Sequence, residues 1–156
     1  MTPRVVGIRT AADPADRAAA LAIRFAVFVN EQKVPAELEL DHHDPTATHV
    51  LVVVDGRPAA TGRLVTEPPG FEGLDATLGP VAHLGRIAVL ASDRGSGLGV
   101  AVVRALEERA LADGACVAYL GAQVSAVGFY ERLGYAAYGD VFDDAGIDHR
   151  HMTRAL

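Results

Sequence analysis

The sequence predicts a mixed α/β fold, a sheet with helices on its faces, and three observations lead to it. Half of the 156 residues are hydrophobic and 22% are charged, enough apolar material for one buried core. The apolar runs are short, as in Val50 to Val54, which suits strands and falls well below the 18 or more residues of a membrane span. The elements then follow in the order strand, helix, three strands, helix, strand, helix, strands, which is not a strictly repeated βαβ array. No linker, low-complexity block or repeat divides the chain, so one domain over residues 1–156 is expected.

Arg4 to Arg9 has strand character. Asp13-Pro14-Ala15-Asp16 opens a helix, with proline in the first turn and Leu21, Phe25 and Phe28 as the apolar face, ending near Asn30. From Glu31 to Pro45 periodicity is lost and acidic residues accumulate, as expected of an irregular surface segment. His49 to Val54 and Pro58 to Thr66 read as strands joined by the hairpin turn Asp55-Gly56. The segment Glu67 to Gly73, rich in proline and glycine, is a loop. Ala82 to Leu90 is a further strand. After Ser92 to Gly99 comes an amphipathic helix with Val102, Val103, Leu106 and Ala110 on one face and Arg104, Glu107 and Glu108 on another, closed by Gly114. Val117 to Leu120 is a buried-type strand, Ser125 to Leu133 a short helix capped by Gly134, and Tyr135 to Tyr138 and His149 to Thr153 the last strands.

A formal charge of −6, with Lys33 the sole lysine, argues against a nucleic-acid partner, because binding to a phosphate backbone relies on a basic face. The absence of a long apolar helix argues against a membrane partner, and the start Met1 to Val6 lacks a secretory core, so a cytoplasmic location is expected. Cys116 is the single cysteine; it opens a buried-type strand and is expected to be packed. No metal is expected: Asp41-His42-His43-Asp44 and His149-Arg150-His151 are adjacent residues that rarely converge on one ion.

The most informative stretch is Arg94-Gly95-Ser96-Gly97-Leu98-Gly99, between a strand and a helix. Three glycines in five residues allow a tight turn, and the exposed amides and dipole at a helix start attract a phosphate or pyrophosphate. A Walker loop is excluded because no lysine follows, and the dinucleotide Gly-x-Gly-x-x-Gly spacing is not met. Arg94-x-x-Gly97-x-Gly99 does resemble the acyl-coenzyme A pyrophosphate loop of the GNAT superfamily of N-acetyltransferases. The segment Phe129-Tyr130-Glu131-Arg132-Leu133-Gly134-Tyr135, preceded by Gln123, is similar to that family's later helix and the Asn before it. Arg24-x-x-Val27-Phe28-Val29-x-Glu31-Gln32-x-Val34-Pro35, with Asp41, His49 and Gly146-Ile147-x-His149, resembles the ElaA-like subgroup of small bacterial members. The resemblance spans nearly the whole chain.

The resemblance implies a mostly antiparallel sheet of six to seven strands and transfer of an acetyl group from acetyl-CoA, as cosubstrate, to a primary amine of a small molecule or peptide. Ile87, Ala88 and Val89 would face the pantetheine arm, with the Val89 amide polarising the thioester carbonyl, and Arg94 to Gly99 would hold the pyrophosphate, with Gln123 in the second motif. Tyr130 stands where relatives use a tyrosine to protonate the leaving thiolate, and His83 where several carry a glutamate base. A histidine can accept a proton near neutral pH. Glu31, Glu39 and Asp41, in the segment that would border the acceptor, are rival candidates for the base, and as acids they would instead favour a cationic amine or a lysine side chain. Two alternatives stay open: a non-catalytic acyl-CoA-binding module, and a long-chain acyltransferase like the acyl-homoserine lactone synthases, which share the Arg24-x-x-Val27-Phe28 opening. Many relatives pair through sheet edges or terminal strands, which leaves a homodimer open.

Overall fold

The computed structural model describes residues 4–156; Met1-Thr2-Pro3, part of the opening used to infer location, lie outside them. The strands are β1 (Val6–Thr10), β2 (Thr48–Val54), β3 (Arg57–Glu67), β4 (Val81–Val89), β5 (Val117–Gln123), β6 (Ala136–Asp144) and β7 (Ile147–Ala155). The helices are α1 (Pro14–Arg24), α2 (Ala36–Glu39), α3 (Leu98–Ala112) and α4 (Val127–Arg132). The seven strands form one mixed sheet in the order β1-β2-β3-β4-β5-β7-β6. The chain divides into two compact units, one running to Leu64 and resuming over Arg86–Leu106, the other made of Val65–Gly85 and Glu107–Leu156.

In the first unit β1, β2 and β3 are antiparallel neighbours. Asp55 and Gly56 both take positive φ, 50° and 78°, the left-handed pair that matches strand twist in a two-residue hairpin. Asp13 caps α1 by accepting from the Asp16 amide at 2.7 Å, with Pro14 in the first turn. Beyond Arg24 the helix changes winding and runs as a π-helix over Phe25–Glu31. The buried face differs from the expected one already within α1. Ala20, Ile23 and Val27 are the buried residues, packing with Ala11, Leu51 and Ala88, and Phe28 packs alongside, whereas Leu21 and Phe25 are only half-buried. The acidic segment is also less irregular than its sequence suggests, since it contains α2.

In the second unit β4 and β5 are parallel, with Val81–His83 in register with Val117–Tyr119. β5, β7 and β6 continue antiparallel, Val117 to Gln123 facing Ala155 to His149. The β6–β7 hairpin turns on Ala145 and Gly146, both left-handed, and its strands are longer than Tyr135–Tyr138 and His149–Thr153. Glu107, expected on the polar face of α3, is buried, because the Tyr135 hydroxyl donates to it at 2.8 Å and Arg154 pairs with it at 3.1 Å. Cys116 is exposed: it precedes β5 and does not share that strand's burial. Among the described residues no helix is long and apolar enough to cross a membrane.

Candidate functional site

In the first unit the loop Arg94–Gly99 is held from below. Leu90 donates its amide to the Ala59 carbonyl at 2.9 Å, and Asp93, buried, accepts a bidentate pair from Arg57 at 2.8 Å each. Hydrogen bonds from Arg57 hold the Asp93 carboxyl below the usual carboxylate range. Ser96 donates from Oγ to the Asp93 carbonyl at 2.7 Å. Gly95 and Gly97 then take φ of 77° and 84°, and a β-carbon on either would meet nothing within 4 Å. The backbone therefore faces open space just where α3 starts, and the first amides of a helix have no intrahelical partner. These residues fit a pyrophosphate. The helix behind is anchored by Leu98, Val102, Val103 and Leu106, all buried, and Gly62 of β3 lets it approach closely: a β-carbon there would lie 2.5 Å from Val102 Cγ1.

β4 enters this unit at Arg86, a non-glycine residue with φ of 49° inside a strand. Such a residue marks a local kink, costs roughly 1–2 kcal/mol, and persists only when its surroundings fix it. Here a network of three arginines and three carboxylates does so. Arg24, 2% exposed, donates to Glu39 at 2.8 Å and Asp44 at 2.7 Å, and also to the Glu39 carbonyl at 2.7 Å. Arg63 donates to Asp41 at 2.8 Å and Asp44 at 3.1 Å. Arg86 donates more weakly to the Glu39 carbonyl and to Asp41, at 3.3 Å each. Burial opposes ionisation of Asp44, but hydrogen bonds from Arg24 and the Asp41 amide outweigh it and hold its carboxyl far below the usual range. Burial, together with the charge of Arg63, pulls Arg86 down from the usual guanidinium value.

The three acidic residues expected beside the acceptor are therefore paired with arginines. Glu39, at 3% exposure, is a buried partner of Arg24, and Asp41 belongs to Arg63 and Arg86. Glu31 accepts two hydrogen bonds from Arg94, at 2.9 and 2.8 Å, and these lower its carboxyl pKa. Arg94 also donates from Nε to the Val89 carbonyl at 3.0 Å, which ties the loop to the end of β4 that carries Ile87 and Ala88. The expected open acidic patch is not what forms.

In the second unit Tyr130 lies on α4, edge-on to Phe129 and Tyr135 with ring centroids 5.0 and 6.0 Å away. Burial pushes its phenol up to about 12, so it keeps its proton throughout the physiological range. Gln123 ends β5 opposite His149. His83 lies on β4 with its side chain 28% exposed, its Nδ1 3.2 Å from Glu67 Oε1. Its ring meets Phe71 and Tyr119, centroids 5.3 and 5.0 Å away, and those two rings also touch each other at 5.3 Å. The sequence reading missed Glu67, Arg86 and the Arg57–Asp93 anchor. Gly85, a lone glycine inside a strand pattern, is the one local sign of the kink at Arg86.

A seven-stranded mixed sheet with a glycine-rich loop opening α3 is the architecture of the GNAT class of acyltransferases. The sequence pattern of the family described as Acetyltransferase (GNAT) family matches residues 16–135, and the chain belongs to that family. It is an acetyltransferase. It is 37% identical over 133 residues to YjcF of Bacillus subtilis, named an uncharacterized N-acetyltransferase, covering 85% of this chain and 87% of that one. Among solved structures it is similar to an acyl-CoA N-acyltransferase from Pseudomonas aeruginosa, with 30% identity, a TM-score of 0.77, and 98% of this chain and all of that one covered. Escherichia coli ElaA superposes with a TM-score of 0.78 at 25% identity, over 96% of this chain and 99% of that one.

Proposed function

We propose that this acetyltransferase takes its acetyl group from acetyl-CoA and passes it to a primary amine of a small molecule or peptide by direct attack. The observation that carries the cosubstrate is the pair of left-handed glycines, Gly95 and Gly97, whose open backbone leads into the amide end of α3. In this reading the amides of Arg94 to Gly99 hold the pyrophosphate, Ile87 to Val89 take the pantetheine arm, and Gln123 assists it. The amine nitrogen attacks the thioester carbon, whose oxygen draws on the Val89 amide. The carbon–sulfur bond then breaks, His83 takes the proton that the amine loses, and Tyr130 gives its proton to the departing thiolate. Tyr130 enters this reading with its proton in place, and the burial that raises its phenol makes it a weaker acid, so the assignment rests on its position in the helix after β5.

The acceptor is proposed as a primary amine without a demand for extra positive charge from Glu31, Glu39 and Asp41, each of which has an arginine partner. Calorimetric titration with acetyl-CoA, beside dephospho-coenzyme A and a long-chain acyl-CoA, tests the cosubstrate, and amine-dependent release of free thiol tests the transfer. Acetyl-CoA is expected to bind most tightly. Absence of binding would remove the cosubstrate and the mechanism, and preference for the long chain would replace the acetyl group.

A further inference from the structure

Glu67 closes β3, its side chain 12% exposed, and its Oε1 lies 3.2 Å from Nδ1 of His83. A carboxylate accepts hydrogen bonds, so this contact puts the proton of a neutral imidazole on Nδ1 and makes Nε2 the accepting nitrogen. The ring also packs in a three-ring cluster, tilted against Phe71 and nearly edge-on to Tyr119, which is 4% exposed. We propose that Glu67 is the positioning residue of His83: it selects the tautomer that can take a proton at Nε2 and stabilises the imidazolium that results. The proposal rests on the reading of His83 as the base.

Tyr119, the ionisable ring against His83, has a hydrogen-bond partner of its own. Tyr119 is paired with His151, 2.8 Å from oxygen to Nδ1, and burial followed by the charges of Glu72 and Asp144 raises its phenol beyond the usual value. It stays neutral and shares a hydrogen bond with His151. Glu72 stands 3.8 Å from His151 Nδ1, and its carbonyl accepts from the Tyr138 hydroxyl at 2.9 Å. His151 stacks on Phe142 with centroids 4.3 Å apart. These contacts organise His151, one strand beyond Tyr119, and Glu67 is the carboxylate 3.2 Å from His83 Nδ1.

The test is a side-chain nitrogen–proton NMR titration of histidine-labelled protein, with H83Q assigning the His83 signals. The wild type should show His83 as the Nδ1–H tautomer, and in E67Q the population should move toward Nε2–H with the titration midpoint displaced to lower pH. In parallel, acetyl-CoA aminolysis by methylamine, small enough to need no acceptor pocket, reads the chemistry. E67Q should lower kcat/KM at neutral pH by about tenfold or more, move the acidic limb of the profile downward and add nothing in an H83Q background; E67D should recover part of the loss. Acetyl-CoA affinity and the melting midpoint should change little, which separates positioning from folding. An unaltered His83 tautomer in E67Q overturns the proposal even if H83Q is slow. A pH profile unchanged by H83Q removes the base itself, and the role assigned to Glu67 falls with it.

Discussion

Arg24→Met is the sharpest probe of what holds the first unit together. The guanidinium donates to Glu39, to Asp44 and to the Glu39 carbonyl, and both Arg24 and Glu39 are almost fully enclosed. Breaking a buried pair by removing one partner costs about 3–5 kcal/mol, because the remaining charge stays desolvated. Here the orphaned carboxylates are not abandoned: Asp44 keeps Arg63 at 3.1 Å, and Glu39 keeps Arg86 at 3.4 Å. The lower end, about 3 kcal/mol, is therefore expected. For a chain of this size that corresponds to a fall of roughly 6–12 °C in melting midpoint. Urea unfolding at pH 7 with linear extrapolation measures it. The deficit should also narrow in acid. The folded-state values of Asp44 and Asp41 are depressed, so their contribution is complete above the ordinary carboxylate range, near pH 4, and is lost as pH falls through the folded values. Arg24→Met removes one source of that depression, so the two proteins should converge below about pH 4. A loss under about 1 kcal/mol at pH 7, or a gap that widens in acid, would refute the reasoning.

Gly97→Val forces a β-branched residue to a φ of 84° in the phosphate loop, and acetyl-CoA affinity by calorimetry should weaken at least about tenfold. Tyr130→Phe should lower kcat by about 10²-fold while acetyl-CoA affinity is kept, because the hydroxyl is assigned to the leaving thiolate alone; unchanged turnover would favour the non-catalytic module. Gly62→Ala sets a methyl 2.5 Å from Val102 Cγ1 and 2.9 Å from Leu106 Cδ1, and overpacking of that kind should cost about 1–3 kcal/mol in urea unfolding.

What the sequence discloses here is what short range determines. The cap Asp13 with Pro14, the hairpin turn Asp55-Gly56 and the glycine turn before α3 each depend on a few neighbouring residues, and each forms as those residues require. The partners of Arg24 and His83 lie 15 to 20 and 16 positions away, and no local pattern marks Glu39, Asp44 or Glu67 as the residue that arrives. The buried face of the first helical stretch escapes for a related reason. The larger side chains Leu21, Phe25 and Phe28 suggest one helical face, whereas the buried face is the smaller set Ala20, Ile23 and Val27, which shares the same period. Glu107 likewise reads as solvent-facing until Tyr135 and Arg154 close over it.

The arginine–carboxylate network also changes what an acidic loop means. A run holding Glu31, Glu39, Asp41 and Asp44 suggests a field that would draw cations, yet Arg24, Arg63, Arg86 and Arg94 neutralise it pair by pair. The pairs serve position more than attraction. Arg86 has the longest hydrogen bonds of the set and the strained φ, so it is the member that the others hold in place. The next residues of β4 are Ile87, Ala88 and Val89, and the Val89 carbonyl in turn accepts from Arg94 of the phosphate loop. A charge removed at Arg24 is thus felt first as freedom at the β4 kink, and its effect on acetyl transfer should be larger than its distance in sequence from the glycine loop suggests.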